Sequence, residues 1–475
     1  MQGYKRTAPD VGWWVEQIRA GEKWRDDVTH RNRWSIWRKY YRGDFDKRVL
    51  PKNIFFTMTR TIVPRIYFRN PSVSITPCKP GPTHAILARI LERIDNKIIS
   101  MMRIKRAMKM LSQTTFHFGT GIGTLGFGAL YTPTPDFGVT EPPLTKEGYN
   151  LEYRQGMLPN MPWFLPTPLE SFVVPQGIRS FEEAFYNAIW VTRPVEEVKA
   201  DPRFKNTKDI KSTGNHLSYR QTDLGDIYTP IDMVSLCQVR DYRTGRVFVL
   251  APDCSDKVLL DTHDDMQYNN GGPHYPLIFN PDDERAYGVA DSKILEPIQL
   301  ELNETKTLTM KHRRLALVKA FVKMKVLSEE AAQRMVSPEV AAVVEIDGEP
   351  QTDIKFMEVG RIPQDLIMHE QNLMQDVRET SGFGRNQFGE YMPGSGRHTA
   401  MEAEIVKMAS EIRVDERRDE LADLLTTVIN HVHDVVFKHW TQQQVIDIVG
   451  PMGLPIWVQF TGQMLKAGAY EVHVD

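Results

Sequence analysis

Residues Ser292-Lys-Ile-Leu-Glu-Pro-Ile-Gln-Leu-Glu-Leu-Asn-Glu-Thr-Lys-Thr-Leu-Thr309 set the reading of the whole chain. Ile294, Ile298, Leu302 and Thr305 recur at helical spacing, with Glu296, Glu301, Glu304 and Lys306 elsewhere, so the stretch predicts a helix. Proline is tolerated in a first turn but disrupts an interior, so either Glu296 begins the helix or Pro297 kinks it. A second helix opens at Pro363, with Leu366, Glu370, Leu373 and Val377 on one stripe, and Ser381-Gly382 closes it as a glycine stop. Between them lie a basic apolar segment (Leu317, Val318, Lys319, Phe321, Val322, Lys323, Lys325, Val326), a short helix, and Val343 to Ile346 ending in Asp347-Gly348. Two helices therefore flank a small α/β insert.

Downstream, Phe383 to His398 mixes Gly384, Gly389, Gly394 and Gly396 with Arg385, Asn386, Gln387, Tyr391 and Arg397, which predicts an exposed polar loop. Thr399 and Glu402 form a capping box. The helix it starts can run to about Gln442, on the order of 65 Å at 1.5 Å per residue. Its middle, Glu411 to Glu420, is almost all charged and is expected in solvent or at a subunit contact. Leu421, Leu424, Leu425, Val428, Val432, Val435 and Val436 then restore an apolar face. Pro455 to Phe460 and Tyr470 to Val474 are short strand candidates.

Upstream, from about His117 to Tyr287, short β-branched and aromatic runs (Ser171 to Val174, Ala188 to Val191, Val234 to Val239, Arg246 to Leu250) alternate with Pro and Gly turns, a strand-rich domain. From Arg60 to Lys109 there are eleven Lys and Arg against two acids, Glu92 and Asp95. Within that stretch Ile86, Leu87, Ile90, Leu91, Ile94 and Ile98 predict one long helix, His84 to Leu111, with a basic back. The first 50 residues hold five of the nine Trp (Trp13, Trp14, Trp24, Trp34, Trp37) among Arg19, Arg25, Arg31, Arg33, Arg38 and Arg42. Such interleaving can stack on nucleic acid, but amphipathic helices packing their Trp faces onto a larger body is the preferred reading.

Composition bounds the function. The 475 residues, 59 Lys and Arg against 61 Asp and Glu, carry a formal charge of -2, which excludes a uniformly basic nucleic-acid-binding coat. Cys78, Cys237 and Cys254 are too few and too scattered for a disulfide scaffold or a zinc site. Without a long apolar run or an apolar leader, a soluble intracellular protein is expected.

Catalytic and cofactor motifs are weak. Gly121, Gly123 and Gly126 match a dinucleotide pattern, but a helix precedes them and a strand reading continues after them, the reverse of the required context. Asp261, His263, Asp264 and Asp265 could ligate a metal, yet a short acidic turn between strands gives the same letters. His431 and His433, two apart on a helix, do not share a face as zinc ligands would, and read as packing or surface residues. No cofactor, metal or catalytic residue is expected.

The order of elements resembles the portal protein of tailed bacteriophages. Asn53-Ile-Phe-Phe with Ile62-Val-Pro-Arg-Ile-Tyr-Phe-Arg-Asn-Pro71 is similar to the family's segment before its first wing helix. Asp241-Tyr-Arg-Thr-Gly245 with Val247-Phe-Val looks like the hairpin before the stem. Tyr275-Pro-Leu-Ile-Phe, Tyr287-Gly-Val-Ala-Asp-Ser and Leu295 to Asn303 with Thr305 look like the lead-in to the first stem helix, the most specific stretch. The resemblance implies an α+β portal fold: wing 1–290, first stem helix 291–314, clip 315–360, second stem helix 361–381, tunnel loop 382–398, long wing helix 399–445 and closing wing strands 446–475. The family's helical crown is expected to be absent or truncated, since the chain stops at Asp475.

The resemblance also implies a non-enzymatic, twelve-subunit ring at one capsid vertex, conducting double-stranded DNA during packaging and ejection. It would reside in the virion, and in the host cytoplasm during assembly. Partners implied are the terminase ATPase, major capsid and scaffolding proteins, and head-completion or tail adaptor proteins, with no membrane. Arg385, Asn386, Gln387, Arg397 and His398 become the DNA-facing candidates, and Lys319, Lys323, Lys325, Asp347 and Gly348 the partner-binding clip. A channel through which DNA slides should avoid base-reading contacts, which a near-neutral wall with a few mobile polar side chains satisfies. The competing readings are a metal-dependent nucleic-acid enzyme using Asp261, His263, Asp264 and Asp265, and an oligomeric connector that conducts no DNA.

Overall fold

A computed structural model describes residues 10–67, 71–127, 162–213, 232–263, 272–315, 320–322, 328–330, 333, 347, 354–356, 364–382, 400–439, 444–449, 455–460, 462–466 and 470–474. Helix α1 (Val11–Val28) starts at Asp10, whose carboxylate accepts from the amides of Gly12 and Trp13, filling donors that a first turn leaves open. Helices α2 (Arg31–Arg42) and α3 (Ile54–Ile66) follow. Trp14, Trp34 and Trp37 are buried, and Trp24 lies against Tyr287, so these helices pack by their Trp faces as expected. Three of their arginines reach toward the body too, while Arg19 and Arg42 are exposed. Arg25, fully buried, donates to the carbonyls of Glu170 (2.7 Å) and Phe172 (3.0 Å). Arg38 pairs with Glu170, and Arg33 with Glu296.

The basic stretch departs from the single helix expected over 84–111. After β1 (Val73–Pro77) come α4 (Pro82–Met101) and α5 (Ile104–Phe118), parted at Arg103, which takes a left-handed conformation at φ 50. In an unbroken helix of 3.6 residues per turn, residues 104, 107 and 111 would lie roughly 120–180° round from Ile98. The break re-aims them, and Ile90, Leu91, Ile94 and Ile98 are buried together with Ile104, Ala107, Met108 and Leu111 in one core.

Strand β2 (Thr120–Phe127) lies antiparallel between β3 (Pro162–Thr167) and β9 (His274–Ile278). Its glycines allow close cover: a Cβ on Gly123 would sit 2.1 Å from the Phe164 ring. The Gly-rich run is thus a packed strand after a helix, not a phosphate-binding turn. Strands β4 (Phe172–Val173), β5 (Tyr186–Pro194), β6 (Met233–Asp241), β7 (Arg246–Ala251) and β8 (Ser255–His263) form a second antiparallel sheet in chain order. Alternate residues serve opposite faces. Tyr186, Ala188, Cys237, Val239 and Phe248 meet Trp14 and Ile18 of α1, while Val234, Leu236, Val249 and Leu259 meet the short helix α6 (Val195–Ala200).

Helix α7 (Asp291–Leu315) begins before Glu296, so Pro297 sits inside it rather than in a first turn. Strands β10 (Ala320–Val322) and β11 (Ile354–Phe356) then pair antiparallel before α8 (Gln364–Ser381). Helix α9 (Ala400–His439) has 40 residues, about 60 Å at 1.5 Å each. It ends short of the expected boundary at 445. Gln444–Val449 is instead a strand, β12, paired with β13 (Pro455–Phe460). β-branched Val445, Ile446, Ile448 and Val449 before Gly450-Pro451 are a strand signal, and proline forbids the helix from continuing.

After helix α10 (Gly462–Lys466), β14 (Tyr470–Val474) pairs antiparallel with β1. The last strand thereby closes on residues 73–77. Along α9, Leu421, Leu424, Leu425, Val428, Val432, Val435 and Val436 are buried, while Asp415, Glu416, Arg418, Asp419 and Glu420 are exposed, as their charge pattern requires. The architecture is α+β.

Candidate functional site

The candidate site is the helical unit formed by α7 and α8 and the junction where they meet α9. The two helices run antiparallel. Asp291 and Leu295, at the start of α7, line the same cavity as Thr380 and Ser381 at the end of α8. Farther along, His369 contacts Glu301 at 3.0 Å, and Lys306 pairs with Glu370 at 2.7 Å. Leu302, Leu373 and Val377 are buried between. The insert of 315–360 therefore leaves from the end of the pair remote from α9, where β10 and β11 bring its two arms together.

The face of α7 turned to the body is polar. Gln299 and Asn303 are buried and Thr307 is nearly so, one turn apart, and they replace a strand partner for the chain entering α3. Gln299 Oε1 accepts from the Ile54 amide at 2.8 Å, and its Nε2 donates to the Lys52 carbonyl at 2.8 Å. Thr307 Oγ1 accepts from the Leu50 amide at 3.1 Å. Nearer the start, Glu296 is buried, accepting from Trp37 Nε1 at 2.9 Å and pairing with Arg33 of α2. Burial of such groups is tolerated because each is hydrogen-bonded. The expected stripe holds at Leu302 and Thr305, both buried, and Ile298 packs partly buried on the core, but Ile294 is exposed and Leu295, Glu296 and Gln299 face inward beside the stripe.

At the junction, Arg417 of α9 donates to Asp291 Oδ1 at 2.7 Å and lies over the Phe279 ring, 5.2 Å from its centroid. Burial raises the Asp291 carboxyl above its usual range, against the pull of Arg417. A cavity of about 250 Å³ opens beside this pair, lined also by Met58, Ile62 and Phe116. Gly382, at φ 73, ends α8 here. The chain leaves α8 toward α9 from this point.

A second polar tie fixes α9 to α4. His433 contacts Asp95 at 2.7 Å, both buried, and burial raises the Asp95 carboxyl while His433 opposes the rise. Tyr275 of β9 meets His431 at 2.6 Å. The two histidines point to different partners, as their spacing required. His117, buried at the end of α5, contacts Ser292 at 3.2 Å, and desolvation pushes its imidazole down to about 3.

Of the sites expected from sequence, Arg385, Asn386, Gln387, Arg397 and His398 lie outside the described residues, as do Lys319, Lys323, Lys325 and Gly348. Asp347 is exposed. Asp261 and His263 belong to β8 rather than to a turn, and Asp261 pairs with Arg246 of β7. Asp264 and Asp265 are outside the described residues. Among the described residues, no group of three or more His, Cys, Asp and Glu could hold a metal ion, and no helix is long and apolar enough to cross a membrane.

Neither a protein-family model nor a curated protein matches the chain. The functional reading therefore rests on the sequence resemblance and on this geometry. Sequence reasoning missed the polar ladder of α7 and the Asp95–His433 tie. Both left a signal: Gln299, Asn303 and Thr307 are uncharged polar residues at four-residue spacing, and Asp95 stands in a stripe of isoleucines.

Proposed function

We propose that this chain is the portal protein of a tailed bacteriophage, a dodecameric ring at one capsid vertex through which the genome is packaged and ejected. One observation supports the reading most: an antiparallel helix pair, α7 and α8, leads at one end to an insert whose arms β10 and β11 pair, and at the other, through residues 383–399, to a 40-residue helix. Such an order is compatible with the stem, clip, tunnel-loop and long-helix sequence that the resemblance implies. In this reading α7 and α8 are the stem, and residues 1–290 with α9 and the closing strands are the wing.

The stem must carry load between wing and clip without bending away. The ladder from Gln299 to Thr307 and the Glu296 contacts hold it to the wing at several points. Residues 382–398 form the loop at the lumen, where Arg385, Asn386, Gln387, Arg397 and His398 meet the DNA backbone without reading bases. The clip, with Lys319, Lys323, Lys325, Asp347 and Gly348, docks the terminase and later the head-completion proteins. The chain performs no reaction of its own; packaging is driven by the terminase ATPase.

Deleting residues 384–396 tests the conduit role. Rings and capsids should still form, with packaging or genome retention lost. Full packaging by the deletion variant would overturn it.

A further inference from the structure

We infer that two like-charged helical stripes, one basic on α4 and one acidic on α9, join neighbouring copies of this chain. The inference deepens the ring reading and rests on it. Arg89, Arg93 and Lys97 are exposed on α4 at four-residue spacing, and so share one face. Asp95 and Ile98 of the same helix point inward, toward His433 and the core.

On α9, Glu416, Asp419, Glu420 and Asp423 are exposed at spacings of three and four residues, again one face. Glu420 records the crowding: partial burial raises its carboxyl first, and Asp423, Glu416 and Asp419 raise it further. Like charges one turn apart weaken a helix, so each stripe is a cost to the isolated subunit. Among the described residues, Arg89, Lys97, Glu416, Asp419, Glu420 and Asp423 form no ion pair.

The stripes match in length as well as in sign. At 1.5 Å per residue, Arg89 to Lys97 spans about 12 Å and Glu416 to Asp423 about 10 Å. They lie on different helices, so each copy can give its basic stripe to one neighbour and its acidic stripe to the other, the head-to-tail arrangement that closes into a ring. Opposed stripes also steer encounter and fix register between subunits.

The test uses two full-length variants. One reverses the acids (Glu416→Lys, Asp419→Lys, Glu420→Lys, Asp423→Lys), and the other reverses the bases (Arg89→Glu, Arg93→Glu, Lys97→Glu). Each alone should be folded by circular dichroism yet show at least a tenfold loss of rings in sedimentation velocity. Mixed in equal amounts, they should recover rings containing both, because each junction then pairs opposite charges. Rings from either variant alone at the wild-type level would overturn the stripe pairing while leaving the ring reading intact. Folded variants that stay apart on mixing would overturn it too. A wild-type chain that forms no ring would instead overturn the reading beneath it.

Discussion

Arg417, in the middle of α9, donates to Asp291, the first residue of α7, at 2.7 Å, so the long helix is pinned where the antiparallel helix pair begins. Their side chains are 11% and 13% exposed, which makes this a largely desolvated pair. Removing one partner leaves the other buried and uncompensated. Arg417→Met should therefore cost roughly 2–4 kcal/mol in urea unfolding, and Asp291→Asn less, since the amide can still accept from the guanidinium.

Gln299 holds three groups at once: the Ile54 amide, the Lys52 carbonyl and Asn303 Oδ1. Gln299→Ala orphans buried main-chain groups and should cost roughly 2–3 kcal/mol. Hydrogen exchange gives a local readout. The amide of Ile54 should lose protection in this variant, whereas an effect confined to distant strands would contradict the ladder.

Asp95 and His433 couple α4 to the far half of α9. Breaking a buried pair costs roughly 3–5 kcal/mol, so Asp95→Ala should destabilise by about that amount. The double variant with His433→Phe should be less than additive, by roughly 1–3 kcal/mol of coupling in a double-mutant cycle. Strict additivity would show that the contact contributes nothing.

His117 contributes to the pH dependence, alongside His274 and His431, whose pKa values burial also lowers. Its folded value, about 3, lies below that of an unfolded imidazole. The unfolded chain therefore takes up a proton that the folded chain refuses. The associated stability is full above pH 6.5 and is lost as pH falls toward 3, at up to about 1.4 kcal/mol per unit. Between pH 7 and 5, His117→Phe should flatten the decline in urea midpoint relative to wild type. An unchanged slope would mean that His117 titrates normally.

Much of this was legible because periodicity reports which face is buried. The strands through Ala188, Val234 and Val247, the glycine stop at Gly382 and the apolar face from Leu421 to Val436 all follow from local pattern. Three features did not. The left-handed break at Arg103 is set by tertiary packing, because an unbroken helix satisfies local propensity equally well. The inward turn of Glu296 and Gln299 depends on Trp37 and Ile54, which lie far away in sequence. The start of the strand at Gln444, two residues before the expected junction at 446, is hidden because boundaries between adjoining patterns are weakly marked. At the candidate site, the helix pair was readable from its stripes, whereas the contacts that anchor it were long-range and left only faint compositional traces.

In the proposed function, copies of this chain close into a ring. Native mass spectrometry of the purified protein, together with negative-stain images, tests it most directly. A species near twelve times 54.7 kDa with a central hole is expected. A stable monomer or dimer persisting at high protein concentration would contradict it.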